Sequence, residues 1–119
     1  MKRLIAALGF TFLAFPALAM TTLNTSMIDP GGDSVVCNVV NVSSKVITVT
    51  ISVINAIGAV LESGQASAMP GNGINVGVKS PVSLVYCSFV FSGSSKSMRG
   101  SLEVVDQSTG NPVATLPAS

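Results

Sequence analysis

The chain of 119 residues has no histidine. Histidine is the side chain that changes charge nearest neutral pH and is the commonest metal ligand, so its absence removes the usual general base and a usual zinc ligand. Tryptophan is also absent, tyrosine occurs once, and only 9% of the residues are charged, against about 25% in an average soluble domain. A surface so poor in charge has to be made from Ser, Thr, Asn and Gly. Lys and Arg form no cluster, so there is no electrostatic footprint for nucleic acid or anionic lipid, and nucleic acid is not an expected partner. The two cysteines, Cys37 and Cys87, lie far apart with no C-x-x-C between them, which argues against a redox-active pair. Beyond the N-terminal segment no stretch keeps a helical period, and none is apolar for the roughly 20 residues that a membrane span needs.

What is present begins with Lys2 and Arg3, an apolar run from Leu4 to Phe15, then Pro16 and the small-residue ending Ala17-Leu18-Ala19. That is the pattern of a secretory signal peptide, residues 1–19, cleaved after Ala19. The run is too short to cross a bilayer, no charged stop-transfer flank follows, and no cysteine stands after the leader to carry a lipid. Cleavage leaves residues 20–119, a single domain by length. Its basic residues are Lys45, Lys79, Lys96 and Arg99, and its acidic ones Asp29, Asp33, Glu62, Glu103 and Asp106, a net charge of minus one. A leader of this kind implies a periplasmic or extracellular protein in an oxidising compartment, where Cys37 and Cys87 can form a stable disulfide.

The apolar pattern sets the fold class. Val35 to Val42 and Val46 to Ile54 are dense in β-branched residues, which lose side-chain freedom in helices and suit a pleated surface. Ile47, Val49, Ile51 and Val53 alternate with Thr48, Thr50 and Ser52, the period of a strand with one buried and one wet face. Ile74, Val76 and Val78 alternate in the same way, as do Met98, Leu102 and Val104, with Gly100 in the inward series. Turn residues punctuate these runs at Asp29-Pro30-Gly31-Gly32, Ser43-Ser44, Ala56-Ile57-Gly58, Pro70-Gly71-Asn72-Gly73, Ser80-Pro81, Ser92-Gly93-Ser94 and Gly110-Asn111-Pro112. Strands are expected near 34–42, 45–55, 59–67, 73–79, 82–91 and 97–106, with a weaker edge segment at 112–116. About seven short strands at this spacing predict an all-β antiparallel β-sandwich.

Cys37 falls in phase with Val35 and Val39, and Cys87 with Val85, Phe89 and Phe91, so both thiols point inward and can join the two sheets. The pattern over residues 34–106 resembles a small immunoglobulin-like or fibronectin-like sandwich with one inter-sheet disulfide. It departs from true immunoglobulin domains in having no tryptophan to pack on the disulfide, and Tyr86 stands one residue before the second cysteine instead of two.

Several clusters were weighed for chemistry. Lys96 beside Ser94, Ser95 and Ser97 reads as a Ser-rich hairpin tip, not as a Ser-Lys nucleophile. Glu103 and Asp106, three apart on an expected strand, face opposite sides and are unsuited to act as paired carboxylates. Asp29 and Asp33 flank Pro30-Gly31-Gly32 and could offer oxygens to calcium, but their spacing is not that of an EF-hand and two acids fall short of its ligand number, so a plain turn is expected. Asn24-Thr25-Ser26 and Asn41-Val42-Ser43 match the glycan acceptor pattern, a motif short enough to recur by chance. No catalytic residue, metal ligand or cofactor is expected.

The outer faces of two strands carry more signal. Val82, Leu84, Tyr86 and Val90 are out of phase with Cys87, and Val36 and Val40 with Cys37, so both solvent faces are apolar. Either residues 20–33 or 111–119 cover them, or Leu84, Tyr86, Val90, Val36 and Val40 form interaction faces. Two functions follow. One is a non-catalytic exported module that binds another exported protein or itself. The alternative is a structural subunit of a surface fibre or coat. In leader, cysteine pair and β content the chain resembles chaperone-assembled fimbrial subunits, a likeness that implies self-assembly by strand addition. It lacks the aromatic residue usual near their C-terminus, and Met98 to Val105 is expected to supply its own last strand, which favours the module.

Overall fold

The computed structural model describes residues 19–119. The signal peptide expected over residues 1–19 therefore lies outside the described residues except at Ala19. Eight strands follow: β1 (Met20–Asn24), β2 (Ser34–Asn41), β3 (Ile47–Asn55), β4 (Val60–Ala68), β5 (Gly73–Val78), β6 (Val85–Ser92), β7 (Met98–Val105) and β8 (Pro112–Pro117), with a 3-10 turn at Ser95–Ser97. They form two antiparallel four-stranded sheets, the first in the order β1-β6-β3-β4 and the second in the order β5-β2-β7-β8.

The alternation read from the sequence is the one that builds the core. Ile47, Val49, Ile51 and Val53 point inward from β3, Val35, Cys37 and Val39 from β2, Val85, Cys87, Phe89 and Phe91 from β6, and Met98, Leu102 and Val104 from β7. The four inner strands of the two sheets thus supply nearly all of the buried side chains. Gly100 continues the inward series of β7 without a side chain because Phe89 occupies that space: a Cβ there would lie 2.6 Å from the ring. Large and absent side chains interlock across the layer, as close packing demands.

Cys37 and Cys87 are joined, with their Cα atoms 5.7 Å apart, and tie β2 to β6 near the middle of both sheets. The bond closes a loop across a sequence separation of 50. On the chain-entropy model such a cross-link stabilises the fold by about 4 kcal/mol.

The pairing shows a departure that the sequence pattern did not reveal. The pairs β2–β5 and β3–β6 correspond to the B–E and C–F pairs of an immunoglobulin sandwich, and the disulfide joins the equivalents of B and F. The first and seventh strands trade places. β1 lies beside β6, where an immunoglobulin domain puts its last strand, and β7 lies beside β2, where it puts its first. Met98–Val105 does form a strand, but it extends the sheet of β2, and the position beside β6 is filled from the other end of the chain.

Two local expectations change. β1 was not foreseen, and the strand expected from residue 82 begins at Val85, because Ser80-Pro81 and the residues after it form bends. The segments 20–28 and 112–117 also do not cover the outer faces. They extend the sheets at their edges, β1 along β6 and β8 along β7.

Candidate functional site

Ladder register decides which of the exposed apolar residues stand together. On the outer face of the first sheet, Val90 lies between Thr22 of β1 and Thr50 of β3, with Gln65 of β4 beyond. The next row is Asn24, Ser88, Ser52 and Ser63. Hydroxyl pairs cross this face, Thr48 with Ser67 at 3.0 Å and Ser52 with Ser63 at 3.2 Å. Val90 is therefore a single valine in a Ser/Thr surface. Val36 and Val40 lie on the opposite side of the sandwich, in the second sheet. Val36 stands between Gly77 and Glu103, and Val40 between Gly73 and Arg99. Each valine leans over a glycine of β5, its Cγ2 within 4 Å of where a Cβ would be, and shares its row with a charged residue. The five residues do not make one surface.

Tyr86 and Leu84 are different. Tyr86 pairs with Ile54 of β3, and Ile54 with Val60 of β4 across a register shift. The β3–β4 turn beyond them exposes Ile57, 88% accessible, and Leu61. Leu84, the residue before β6, is 44% exposed, Val82 is fully so, and Met27 is exposed on the segment that bridges to Val85. One end of the first sheet thus carries exposed Ile57, Val60 and Leu84 beside half-buried Ile54 and Tyr86. Scattered exposed apolar residues are ordinary, but a contiguous group of them marks a contact surface. Ile54, Ile57 and Val60 were missed because they lie on a turn and on a strand paired across it. The one available signal was Ala56-Ile57-Gly58, a turn with an isoleucine at its tip.

The other end is organised around Asn41, which is fully buried. Its Nδ2 donates to the carbonyls of Lys45 at 2.6 Å and Ala68 at 2.8 Å. Its Oδ1 accepts from Ser43 N–H at 2.9 Å and Ser43 Oγ–H at 2.7 Å. An asparagine amide has two donors and two acceptor lone pairs, and all four are used. The main chain adds Asn41 N–H to Asn72 O at 3.0 Å, Gly71 N–H to Asn41 O at 2.8 Å and Val42 N–H to Ser97 O at 2.9 Å. Asn41 therefore fixes the β2–β3 loop and the β4–β5 turn, and its neighbour Val42 ties in the 3-10 turn. The Asn41-Val42-Ser43 sequence is a structural loop device, and its buried amide is not available to a glycan. A cleft of about 440 Å3 between Ser43–Ile47 and Ser92–Ser97 is lined mainly by serines and Lys45. Ser94 caps the 3-10 turn there, its Oγ accepting the Lys96 N–H at 3.1 Å, so it contributes to backbone order.

The acidic residues also stabilise turns. Asp29 Oδ1 accepts the Gly31 N–H at 3.0 Å, and Asp33 N–H donates to Pro30 O at 3.1 Å. Among the described residues no three His, Cys, Asp or Glu side chains gather as metal ligands would. Asp106 closes the β7–β8 turn by accepting from Ser108 Oγ–H at 2.7 Å, Ser108 N–H at 2.8 Å and Thr109 N–H at 3.2 Å. These bonds, the Ser108 hydroxyl first, hold its carboxyl below the usual carboxylate pKa. Glu103 instead accepts from Asn38 Nδ2 at 2.9 Å on the outer face of the second sheet.

The class these observations define is a small β-sandwich with its sheets linked by one disulfide and its terminal strands exchanged between sheets. The fold is shared with a solved structure from Thermotoga maritima, Thermotoga maritima 1070, at a TM-score of 0.54 and 9% sequence identity, over 82% of this chain and 91% of that one. No family model matches the sequence, and no curated protein does. At that identity the likeness concerns architecture alone. Among the described residues no helix is long and apolar enough to cross a membrane.

Proposed function

We propose that the chain is an exported, non-catalytic module that makes protein contacts through the apolar end of its first sheet. The observation that carries this reading is the apolar group of exposed Ile57, Val60 and Leu84 with half-buried Ile54 and Tyr86, on a sheet whose remaining outer face is hydroxyl-rich. An aromatic ring ringed by aliphatic side chains is the usual centre of a contact surface. Export is supported by the leader pattern together with the Cys37–Cys87 disulfide, which persists in an oxidising compartment such as the periplasm or the exterior. The partner is another exported protein or a second copy of the chain.

A photo-crosslinking residue placed at Ile57, and separately at Thr50, in an exporting host tests the proposal. Both sites belong to the first sheet, but only Ile57 belongs to the apolar end. A discrete adduct from position 57, absent from position 50 and lost in the Leu84→Ser/Tyr86→Ser double variant, is the expected result. Equal labelling from both positions, or none from 57, contradicts it.

A further inference from the structure

We propose that residues 20–28 are exchanged between two copies of the chain, each copy's N-terminal strand pairing with β6 of the other. This rests on the reading of the apolar end as a contact surface and names its occupant, which is the same end of a second copy.

The segment is attached to its own domain in a way that allows the exchange. Met20–Asn24 pairs with β6 from Ser92 to Ser88. Thr25 N–H then donates to Cys87 O at 3.0 Å, Cys87 N–H to Thr25 Oγ1 at 3.0 Å, and Ile28 and Val85 exchange both backbone bonds at 2.9 and 3.0 Å. The remaining bonds of the segment go to Gly93 and to Ser119, with Asn24 N–H donating to Ser119 O at 3.2 Å. All of these partners line one slot. A segment from a second copy lying in that slot finds every one of them. Leu23 is the apolar side chain that β1 buries, and the strand's outer border is an open cleft of about 580 Å3 lined in part by Leu23, Met98, Gly100 and Ala118. The strand is therefore held along its length by β6 and, at its C-terminal end, by the Ala118–Ser119 tail through the Asn24–Ser119 bonds and the Thr25–Ala118 bridge.

The connection to β2 is the hinge Asp29–Asp33. Its closed form needs two consecutive glycines at positive φ, Gly31 at 61° and Gly32 at 95°, and is held by the Asp29–Gly31 and Pro30–Asp33 hydrogen bonds and by burial of Pro30. Opening loses these local interactions, while the β6 ladder re-forms in trans. Such low-cost strand exchange is a known route to dimers. Fully extended, the hinge spans at most about 17 Å, so two exchanged domains must adjoin at the end where the hinge lies. That end is the apolar one, since Ile28 bridges to Val85 and Val85 pairs with Asn55. The exchange thus brings Ile57, Leu84 and Tyr86 of both copies towards a common two-fold axis.

The test uses two differently tagged 20–119 chains, one carrying Thr22→Cys and the other Val90→Cys, refolded together and oxidised. Thr22 and Val90 are directly opposed in the ladder, so β1 crossing from one chain to the other gives a disulfide between unlike chains in large excess over the like-chain disulfides that random collision gives. A mixed disulfide of twice the single-chain mass is expected, and its absence overturns the exchange. Gly31→Val/Gly32→Val supplies a second measurement. Valine is penalised at positive φ but suits an open hinge, so the dimer fraction should rise about tenfold or more, and an unchanged fraction also overturns it. Association that is lost in Leu84→Ser/Tyr86→Ser while no mixed disulfide forms would sink the exchange and leave the contact surface standing. A mixed disulfide unaffected by those substitutions would do the reverse.

Discussion

The two ends of this sandwich are made from the same materials, β-branched strands joined by short turns, and they meet solvent in opposite ways. At the Asn41 end the chain turns its polar groups on itself: a buried amide with all four hydrogen bonds used joins the β2–β3 loop to the end of β4. At the Tyr86 end the β3–β4 turn is held by Asn55, whose Oδ1 accepts from Ile57 N–H and Ala59 N–H, and aliphatic side chains stand exposed beside it. The first end exposes apolar side chains too, Val42, Val46 and Met69, but they stand on loops tied down by polar groups of the chain itself and beside a serine-lined cleft. The second end would lower its free energy by burying apolar surface, roughly 25 cal/mol per Å2 removed from water, and none of the described elements covers it. Order at one end and incompleteness at the other are thus two outcomes of the same packing rules.

Replacing Cys37 and Cys87 by alanine removes the tie midway between the ends and should have the largest effect. A loss of about 4 kcal/mol is expected in urea denaturation, with both ends losing hydrogen-exchange protection together. Asn41→Ala should separate the ends. The carbonyls of Lys45 and Ala68 and the N–H of Ser43 lose their partner, and the variant should be less stable by about 3 kcal/mol. Exchange should quicken at Ser43, Asn72 and Ser97 while Val85 and Asn55 keep their protection. Leu84→Ser/Tyr86→Ser should act on the other end alone, changing stability by less than about 1 kcal/mol because both side chains are at least partly exposed, while association is lost. The smallest effect is at Asp106. Its carboxyl pKa is lowered in the folded chain, so what it contributes to stability is present above the unfolded value, about 3.9, and is lost as pH falls through the lower folded value. The amide resonances of Ser108 and Thr109 should move in that acid range, and Asp106→Asn should abolish the movement.

The sandwich and its covalent link were legible because they depend on side-chain phase, and phase survives in a single sequence. Val35, Cys37 and Val39, or Val85, Cys87 and Phe89, carry their direction in their spacing. Gly100 was placed in the inward series, but the reason for it, the ring of Phe89, belongs to the opposite sheet. β1 was hidden because Met20–Asn24 buries one leucine and draws its stability from main-chain bonds to a strand far along the chain. The candidate faces were read strand by strand, which located Tyr86 and Leu84 but could not show that Val90 has threonines on both sides or that Val36 shares a row with Glu103. Such rows are set by register between strands, and register comes from pairing, not from the spacing within one strand. Asn41 was seen as half of a three-residue motif, since burial and its four partners exist only after the loops have met.

If residues 20–28 are exchanged as proposed, the apolar end of the first sheet meets its like on a second copy. Light scattering on the oxidised 20–119 chain after size exclusion, run over a wide concentration range beside the Leu84→Ser/Tyr86→Ser variant, tests it most directly. A dimer is expected for the parent chain and a folded monomer for the variant. A parent chain that stays monomeric at every concentration, or a dimer that survives both substitutions, would contradict it.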